Sequence, residues 1–392
     1  MATKKDYINL IRWSCILDSF IDHYFIRSIV LYLLSKGVIP WVAVSIPIVL
    51  EFAKLISRGF SPIVKLAIKV DYKKYHIFHL ITFLLLGVVI SQCNNVYTIY
   101  LFTIISGFLS GIKYSSITKL DTSNKEFESY CFIEEERAQV IGGVLGLVIS
   151  QYIYDYNKTL YILGFFALII IGTFLSLFLK NIKVNDVMEQ IDHGKELSKA
   201  EKKNTILVTI LFGILVGFWC VSWGAFEELS PLITKKVGYF NAIYTALETL
   251  LLFAISGRIL DKIKKNGKLL LTETIIAIID TACFLLSAIM LSWQGILIAY
   301  IITAFTGTLA DPVWGSIISA YSVNDRKKYV IVNRVYFIVR GIFSLITWFV
   351  CRQCVIHGLE SFRVLGFSLL FLILIMYVIA NYYNKKIFKK TI

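Results

Sequence analysis

The chain has 392 residues, of which 57% are hydrophobic and 17% are charged. Soluble domains have about 45–50% apolar and about 25% charged residues, so this composition excludes an ordinary soluble protein and predicts one embedded in a lipid bilayer. The formal net charge of +14 does not indicate nucleic-acid binding, because lysines and arginines occur in short clusters between apolar runs.

Twelve apolar runs, each long enough to cross the hydrocarbon core as a helix, follow one another along the chain. We therefore predict an all-α polytopic membrane protein with an N-terminal six-helix bundle at 1–180, a cytoplasmic linker at 181–204 and a C-terminal six-helix bundle at 205–392. The runs lie at roughly 9–35, 39–62, 75–93, 96–118, 136–156, 159–180, 205–229, 239–260, 269–291, 294–320, 329–352 and 362–384.

Basic residues mark alternate connections between these runs. They follow the second, fourth, eighth and tenth runs and fill the central stretch, whereas the other connections carry few. The positive-inside rule then predicts that both termini and the central loop are cytoplasmic, in a bacterial-type inner or plasma membrane. The equal spacing around a polar midpoint also indicates a parallel internal repeat with pseudo-two-fold symmetry.

The residues after the eighth run, Gly257 to Lys262, read GRILDK. They resemble the G-x-L-a-D-R loop of the major facilitator superfamily, and the six-plus-six layout resembles that family over nearly the whole chain. The resemblance implies a twelve-span secondary transporter in which Asp261 and Arg258 form a cytoplasmic gate, with Asp71 as the first-half counterpart. Two departures argue against its drug–proton antiporters: Thr103 stands where these usually carry arginine, and Leu147 replaces a proline of the fifth helix.

The first half carries ionisable residues inside its predicted spans, where a charge costs roughly 2.5–3.5 kcal/mol. Asp18 and Asp22 are four residues apart and share one face of the first helix. Asp22 lies close to mid-span and is a candidate for proton coupling or substrate contact; the alternative is a fixed structural pair that Arg27 and a lysine elsewhere neutralise. Glu51 and Lys54 lie on one stripe of the second helix, which suits a structural salt bridge at least as well as a substrate site.

The second half adds three acids and one arginine at comparable depth, more than structural pairing alone requires. Asp311 precedes Pro312, so we predict a local helix break beside this carboxylate. The alternative for Asp280 is a structural pair with Arg340. The candidate proton-coupling and substrate residues are Asp18, Asp22, Glu51, Lys54, Glu248, Asp280, Asp311 and Arg340.

Two acidic residues near the outer end of the seventh span, the small residues and the aromatic residues complete the prediction. Glu227 and Glu228 are expected in a solvated outer rim, and the GxxxG pairs at 107–111 and 213–217 are expected to allow close helix packing. Tryptophan and tyrosine favour membrane interfaces, but some can line a cavity for amphipathic cargo. The candidate cavity aromatics are Trp219, Trp223, Tyr244 and Trp314.

Together these features favour a proton-coupled carrier that works by alternating access and exports an amphipathic metabolite, drug or small peptide. The alternative is an importer of a small polar solute such as a sugar, amino acid or organic anion, and a membrane-embedded enzyme is a remote third candidate. We expect a monomer in the lipid bilayer that is driven by protons. No cofactor or metal is expected, because the histidines have no metal-ligand spacing and no phosphate-binding glycine loop occurs.

Overall fold

The computed structural model describes residues 4–59, 72–92, 95–122, 125–178, 199–265, 269–322 and 326–387. These residues form twelve helices, as the hydropathy pattern predicts. The helices are α1 Lys4–Ser35, α2 Pro40–Gly59, α3 Tyr72–Gln92, α4 Val96–Thr122, α5 Lys125–Tyr156, α6 Lys158–Phe178, α7 Lys199–Ile233, α8 Val237–Lys265, α9 Leu269–Met290, α10 Trp293–Ser322, α11 Arg326–His357 and α12 Ser361–Ile387.

Within the described residues, six helical stretches are long and apolar enough by themselves to cross a membrane. Three shorter apolar stretches accompany them, at His76–Gln92, Val96–Ile112 and Trp293–Leu309. The protein is therefore an integral, multi-pass membrane protein. The six long stretches are Pro40–Gly59, Lys158–Phe178, Phe212–Ile233, Leu271–Met290, Arg334–His357 and Ser361–Ile379.

The chain divides into two compact units, Met1–Asp192 and His193–Ile392. In the first unit α1 packs against α5, α2 against α4, and α3 against α4 and α6. The second unit repeats these pairings six helices later: α7 packs against α11, α8 against α10, and α9 against α10 and α12. Equivalent helices thus have equivalent neighbours in the two units.

The repeat is also visible in the residues of α4 and α10. The sequence Y-x-x-T-x-x-(S/T)-G starts at Tyr100 in α4 and recurs at Tyr300 in α10. In the first unit the Ser106 hydroxyl donates to the Thr82 carbonyl of α3. In the second unit Thr306 donates to Asp280 of α9, the helix that corresponds to α3. Ser106 and Thr306 therefore face equivalent neighbouring helices in the two units. The hydroxyl acceptor is a backbone carbonyl in the first unit and an aspartate side chain in the second.

Glycines set how closely the helices approach. On α4, a Cβ added to Gly107 would lie 2.5 Å from the Leu50 carbonyl oxygen of α2, and Gly111 meets the next turn of α2. This confirms close packing at the first GxxxG pair. In the second unit Gly213 and Gly217 of α7 instead receive the side chains of Val339 and Phe343 from α11.

The helix break predicted at Asp311–Pro312 is wrong, since α10 continues without interruption to Ser322. A proline removes one backbone donor and crowds the preceding turn, yet a helix embedded among neighbours can continue past it.

Candidate functional site

Asp280 lies in α9 of the second unit and is 4% exposed. Its carboxylate accepts hydrogen bonds from the Trp219 indole N–H of α7 and the Thr306 hydroxyl of α10. Both donors are neutral, and no ion pair joins Asp280 to Arg340 in the described part of the chain. Within α11, the Arg340 guanidinium donates to the Tyr336 hydroxyl at 3.1 Å and lies over the Tyr336 ring. The alternative of a structural Asp280–Arg340 pair is therefore wrong.

Glu248 lies half-buried on α8, one turn after Tyr244. The Tyr244 hydroxyl donates to its Oε1 at 3.2 Å. Gly307 of α10 leaves room for both groups, because a Cβ there would lie 2.5 Å from each of the two oxygens. Since Gly307 follows Thr306, the two acids contact consecutive residues of α10. The Thr308 hydroxyl then donates to the Glu248 carbonyl at 3.2 Å, which fixes this turn of α8.

Four aromatic rings pack against one another, and one of them is Tyr244, the partner of Glu248. The Trp223 ring centroid lies 5.2 Å from that of Tyr244 and 6.2 Å from that of Tyr300. The Phe226 ring packs on Tyr300 at 4.7 Å. Trp223 and Tyr244 are half-buried, whereas Tyr300 and Phe226 are buried. Trp219, one turn before Trp223, covers Asp280.

We call this arrangement the acid–aromatic cluster. It brings together five of the residues that the sequence singles out, from three helices. The cluster also contains Phe226 of α7 and three residues of α10, so four helices contribute to it. Its members are Trp219, Trp223, Phe226, Tyr244, Glu248, Asp280, Tyr300, Thr306 and Gly307.

The first unit has a separate pair of ionisable groups. Asp18 of α1 and His76 of α3 are 4% and 0% exposed, and the Asp18 Oδ1 lies 3.1 Å from the His76 Nδ1. Asp22 lies one turn further along α1 and is also buried. In α2, Glu51 and Lys54 form an ion pair at 3.5 Å whose side chains are partly exposed. The pairing predicted for these two α2 residues is therefore present.

Sequence reasoning missed several buried polar residues. The Nδ1 atom of His76 lies 3.1 Å from the Asp18 carboxylate, a contact that the sequence did not predict, although His76 and His79 at i and i+3 in an apolar run were a usable signal. Glu273, seven residues before Asp280 on α9, is also buried. The solvated rim expected for Glu228 is wrong, because this residue is only 2% exposed. Glu228 lies five residues before the end of α7 at Ile233, and the side chains packed around it exclude solvent.

Several predicted site residues lie where no side chain is described. These are the gate candidates Asp71, Arg258 and Asp261, together with Asp311 and Trp314. Among the described residues, no three histidine, cysteine, aspartate or glutamate side chains form a group that could hold a metal ion.

The sequence matches no known protein-family model and no curated protein. Solved structures do match. A POT family transporter in complex with a thioalcohol-conjugated peptide has a TM-score of 0.75 at 13% identity, with 95% of this chain and 96% of that chain covered. A POT family transporter with 5-aminolevulinic acid has a TM-score of 0.72 at 13% identity, with the same coverage.

The nucleoside transporter NupG is also similar, with a TM-score of 0.66 at 13% identity, covering 95% of this chain and 99% of that chain. These likenesses extend over nearly the full length of all the chains compared. The chain therefore has the fold of these membrane transporters, which is the major-facilitator-like fold of two six-helix bundles that its sequence resembles.

Proposed function

We propose that this protein is a proton-coupled secondary transporter that works by alternating access and exports an amphipathic metabolite, drug or small peptide. The observation that supports this most is the setting of Asp280, a buried intramembrane carboxyl group whose two hydrogen bonds come from neutral donors. Ionisable groups at this depth mark ion and substrate pathways in membrane proteins, because an uncompensated charge there is costly to keep.

The bonds of Asp280 also supply a mechanism for coupling. An ionised carboxylate is only an acceptor, whereas a protonated one carries an O–H donor and has less acceptor capacity. Proton binding at Asp280 therefore weakens its bonds to Trp219 of α7 and Thr306 of α10. The hydrogen bonds that join α9 to α7 and α10 are therefore strong when Asp280 is ionised and weak when it is protonated. A carrier needs such a two-state element to couple its conformation to a proton gradient.

Asp18 and Asp22 are the corresponding candidates in the first unit. Asp18 already has a partner in His76, which favours a structural or positioning role for it. Asp22 remains the first-unit candidate for proton coupling, because it is buried one turn from that pair.

Transport by purified protein in vesicles tests the coupling. We expect an imposed proton gradient to drive cargo flux in the wild type, and Asp280→Asn to abolish gradient-driven flux while counterflow exchange without a gradient persists. Thr306→Val removes one donor to the same carboxylate and Thr306→Ser keeps it, so only the first should impair flux. If no proton gradient alters the flux of any cargo, the coupling proposal is wrong.

The second candidate is import of a small polar solute. Two of the similar structures, one with a bound 5-aminolevulinic acid and one described as a nucleoside transporter, favour this alternative. The direction of cargo flux under an inward proton gradient distinguishes the importer from the exporter. Cargo that moves inward together with protons indicates an importer, and cargo that moves outward while protons move inward indicates an exporter.

A further inference from the structure

We infer that the proton taken up by Asp280 binds to its Oδ1 oxygen, and that Thr306 accommodates this proton by reversing the direction of their hydrogen bond. The inference rests on the proposed function, because it takes Asp280 as the proton site and names the residue of α10 that responds to the proton. Three observations carry it: the different chemistry of the two donors, a second acceptor beside Thr306, and a buried link between α7 and α9.

The two oxygens of Asp280 face donors of different chemistry. Oδ2 accepts the indole N–H of Trp219, and Oδ1 accepts the hydroxyl of Thr306. An indole nitrogen is a donor only, whereas a hydroxyl group donates one hydrogen and also accepts through its lone pairs. A hydrogen on Oδ2 would point at the hydrogen of Trp219, and that bond would be lost. A hydrogen on Oδ1 meets a lone pair of the Thr306 oxygen instead.

Thr306 has a second acceptor for its own hydrogen. Its hydroxyl oxygen also lies 2.9 Å from the carbonyl oxygen of Thr303, one turn earlier on α10. When Asp280 is ionised, the hydroxyl donates to Oδ1. When Asp280 is protonated, the hydroxyl donates to Thr303 and accepts the new O–H, the only covalent bond that forms. Every donor thus has an acceptor in both states, as burial requires.

A buried link keeps Trp219 beside Oδ2 in both states. The hydroxyl oxygens of Ser222 on α7 and Thr281 on α9 lie 2.8 Å apart, and both side chains are buried. Ser222 comes three residues after Trp219 and Thr281 directly follows Asp280, so the link joins the same two helices close to the acid. Serine and threonine hydroxyls do not titrate, so the proton leaves this link intact. The reorientation is therefore confined to the bond with α10.

Other ionisable groups lie on α9 and on the helices packed against it. The buried Cys283 thiol is one turn beyond Asp280 on α9. The described charged residues are Glu273 of α9, Glu227 and Glu228 of α7, Glu248 of α8 and Arg363 of α12, and α10 has none in Trp293–Leu309. Within the described part of the chain, Asp280 accepts its hydrogen bonds from Trp219 and Thr306. These two neutral donors therefore decide which oxygen takes the proton.

The equivalent hydroxyl of the first unit has a different acceptor. Ser106 of α4 donates to the backbone carbonyl of Thr82 at 3.2 Å. A backbone carbonyl does not ionise, so this bond keeps its direction at every pH. Ser106 is therefore a matched control for Thr306.

Infrared difference spectroscopy on the purified protein tests the placement of the proton. Acidification should produce a C=O band from the protonated Asp280 carboxyl group, and Asp280→Asn should abolish it. With the proton on Oδ1, the carbonyl oxygen of the acid is Oδ2, which accepts from Trp219. Trp219→Phe should therefore move the band to higher wavenumber, because the C=O bond stiffens when it loses a donor. Thr306→Val should move the band less.

Matched variants and folding controls accompany these measurements. Thr306→Ser keeps a hydroxyl group and Ser106→Ala removes the one in the first unit, so both should leave the band in place. Melting temperatures report whether each variant is folded. If Trp219→Phe does not fold, Thr306→Val decides by itself: a hydrogen-bonded C=O band supports the inference, and a C=O band without a donor overturns it.

The outcomes for this inference and for proton coupling are distinguishable. A shift in Thr306→Val that equals or exceeds the shift in Trp219→Phe overturns the placement on Oδ1 and keeps Asp280 as the proton site. The absence of an Asp280 band at any pH overturns both. The expected shifts, in a protein whose flux ignores the proton gradient, keep this inference and contradict the coupling proposal.

Discussion

Asp280 and His76 are two buried ionisable residues that have different kinds of partner. Asp280 accepts bonds from Trp219 and Thr306, whereas His76 meets an acid directly at 3.1 Å. A direct pair compensates charge inside the bundle, whereas neutral donors leave the charge in place. We therefore propose a structural role for Asp18 and His76 and proton coupling for Asp280.

The direct pair should be visible in thermal unfolding. Asp18→Asn and His76→Gln each remove one partner and leave the other buried, so each should lower the melting temperature by several degrees. The double variant should be less destabilised than the sum of the two, with a coupling on the order of 0.5–3 kcal/mol. Strict additivity would mean that the two side chains do not interact.

Trp219 provides a second test at the residue scale. Trp219→Phe keeps an aromatic ring on α7 but removes the N–H that Asp280 accepts. We expect proton-driven flux to fall about tenfold while the protein stays folded, because a hydrogen bond to a charged group contributes about 1.5–3 kcal/mol. Trp293→Phe, at an exposed ring at the start of α10, is the matched control. Unchanged flux in Trp219→Phe would remove this residue from the coupling mechanism.

At the scale of elements, α4 and α10 carry the same motif with different consequences. Gly107 faces the backbone of α2, which cannot move without shifting the whole helix, whereas Gly307 faces the ends of two side chains, which can rotate away. One repeat position is therefore a packing site in the first unit and part of the acid–aromatic cluster in the second.

This difference predicts opposite outcomes for one substitution. Gly107→Ala should lower the melting temperature by several degrees, because the added methyl group forces α4 and α2 apart. Gly307→Ala should leave the melting temperature nearly unchanged but displace the Glu248 carboxylate and the Tyr244 hydroxyl, and so reduce proton-driven flux. The paired measurement is thermal unfolding and vesicle flux on both variants. A large loss of stability in Gly307→Ala, with none in Gly107→Ala, would contradict the assignment of Gly107 to helix packing and of Gly307 to the acid–aromatic cluster.

At the scale of the whole molecule, membrane topology remains a prediction from the distribution of lysine and arginine. Single cysteines introduced at Lys195 and Lys389, in a background without native cysteines, should react with an impermeant reagent only from the cytoplasmic side. A cysteine at Lys158, in the connection between α5 and α6, should react only from the opposite side. Labelling of positions 195 and 389 from different sides would contradict the predicted repeat.

The number of helices, their order and the internal repeat follow from the sequence by itself, because every membrane span must be a long apolar helix that satisfies its own backbone. The sequence also identified Asp280, Glu248, Trp219, Trp223 and Tyr244 as candidates, since charge is costly inside a span and aromatic residues can line a cavity. It did not determine which of them meet. Thr306, Gly307 and Tyr300 are ordinary residues of an apolar helix, and His76 has no acid near it in the chain. Only the tertiary structure decided their roles, because hydrogen bonds and ring contacts between helices depend on helix rotation and neighbours, which a hydropathy pattern does not encode.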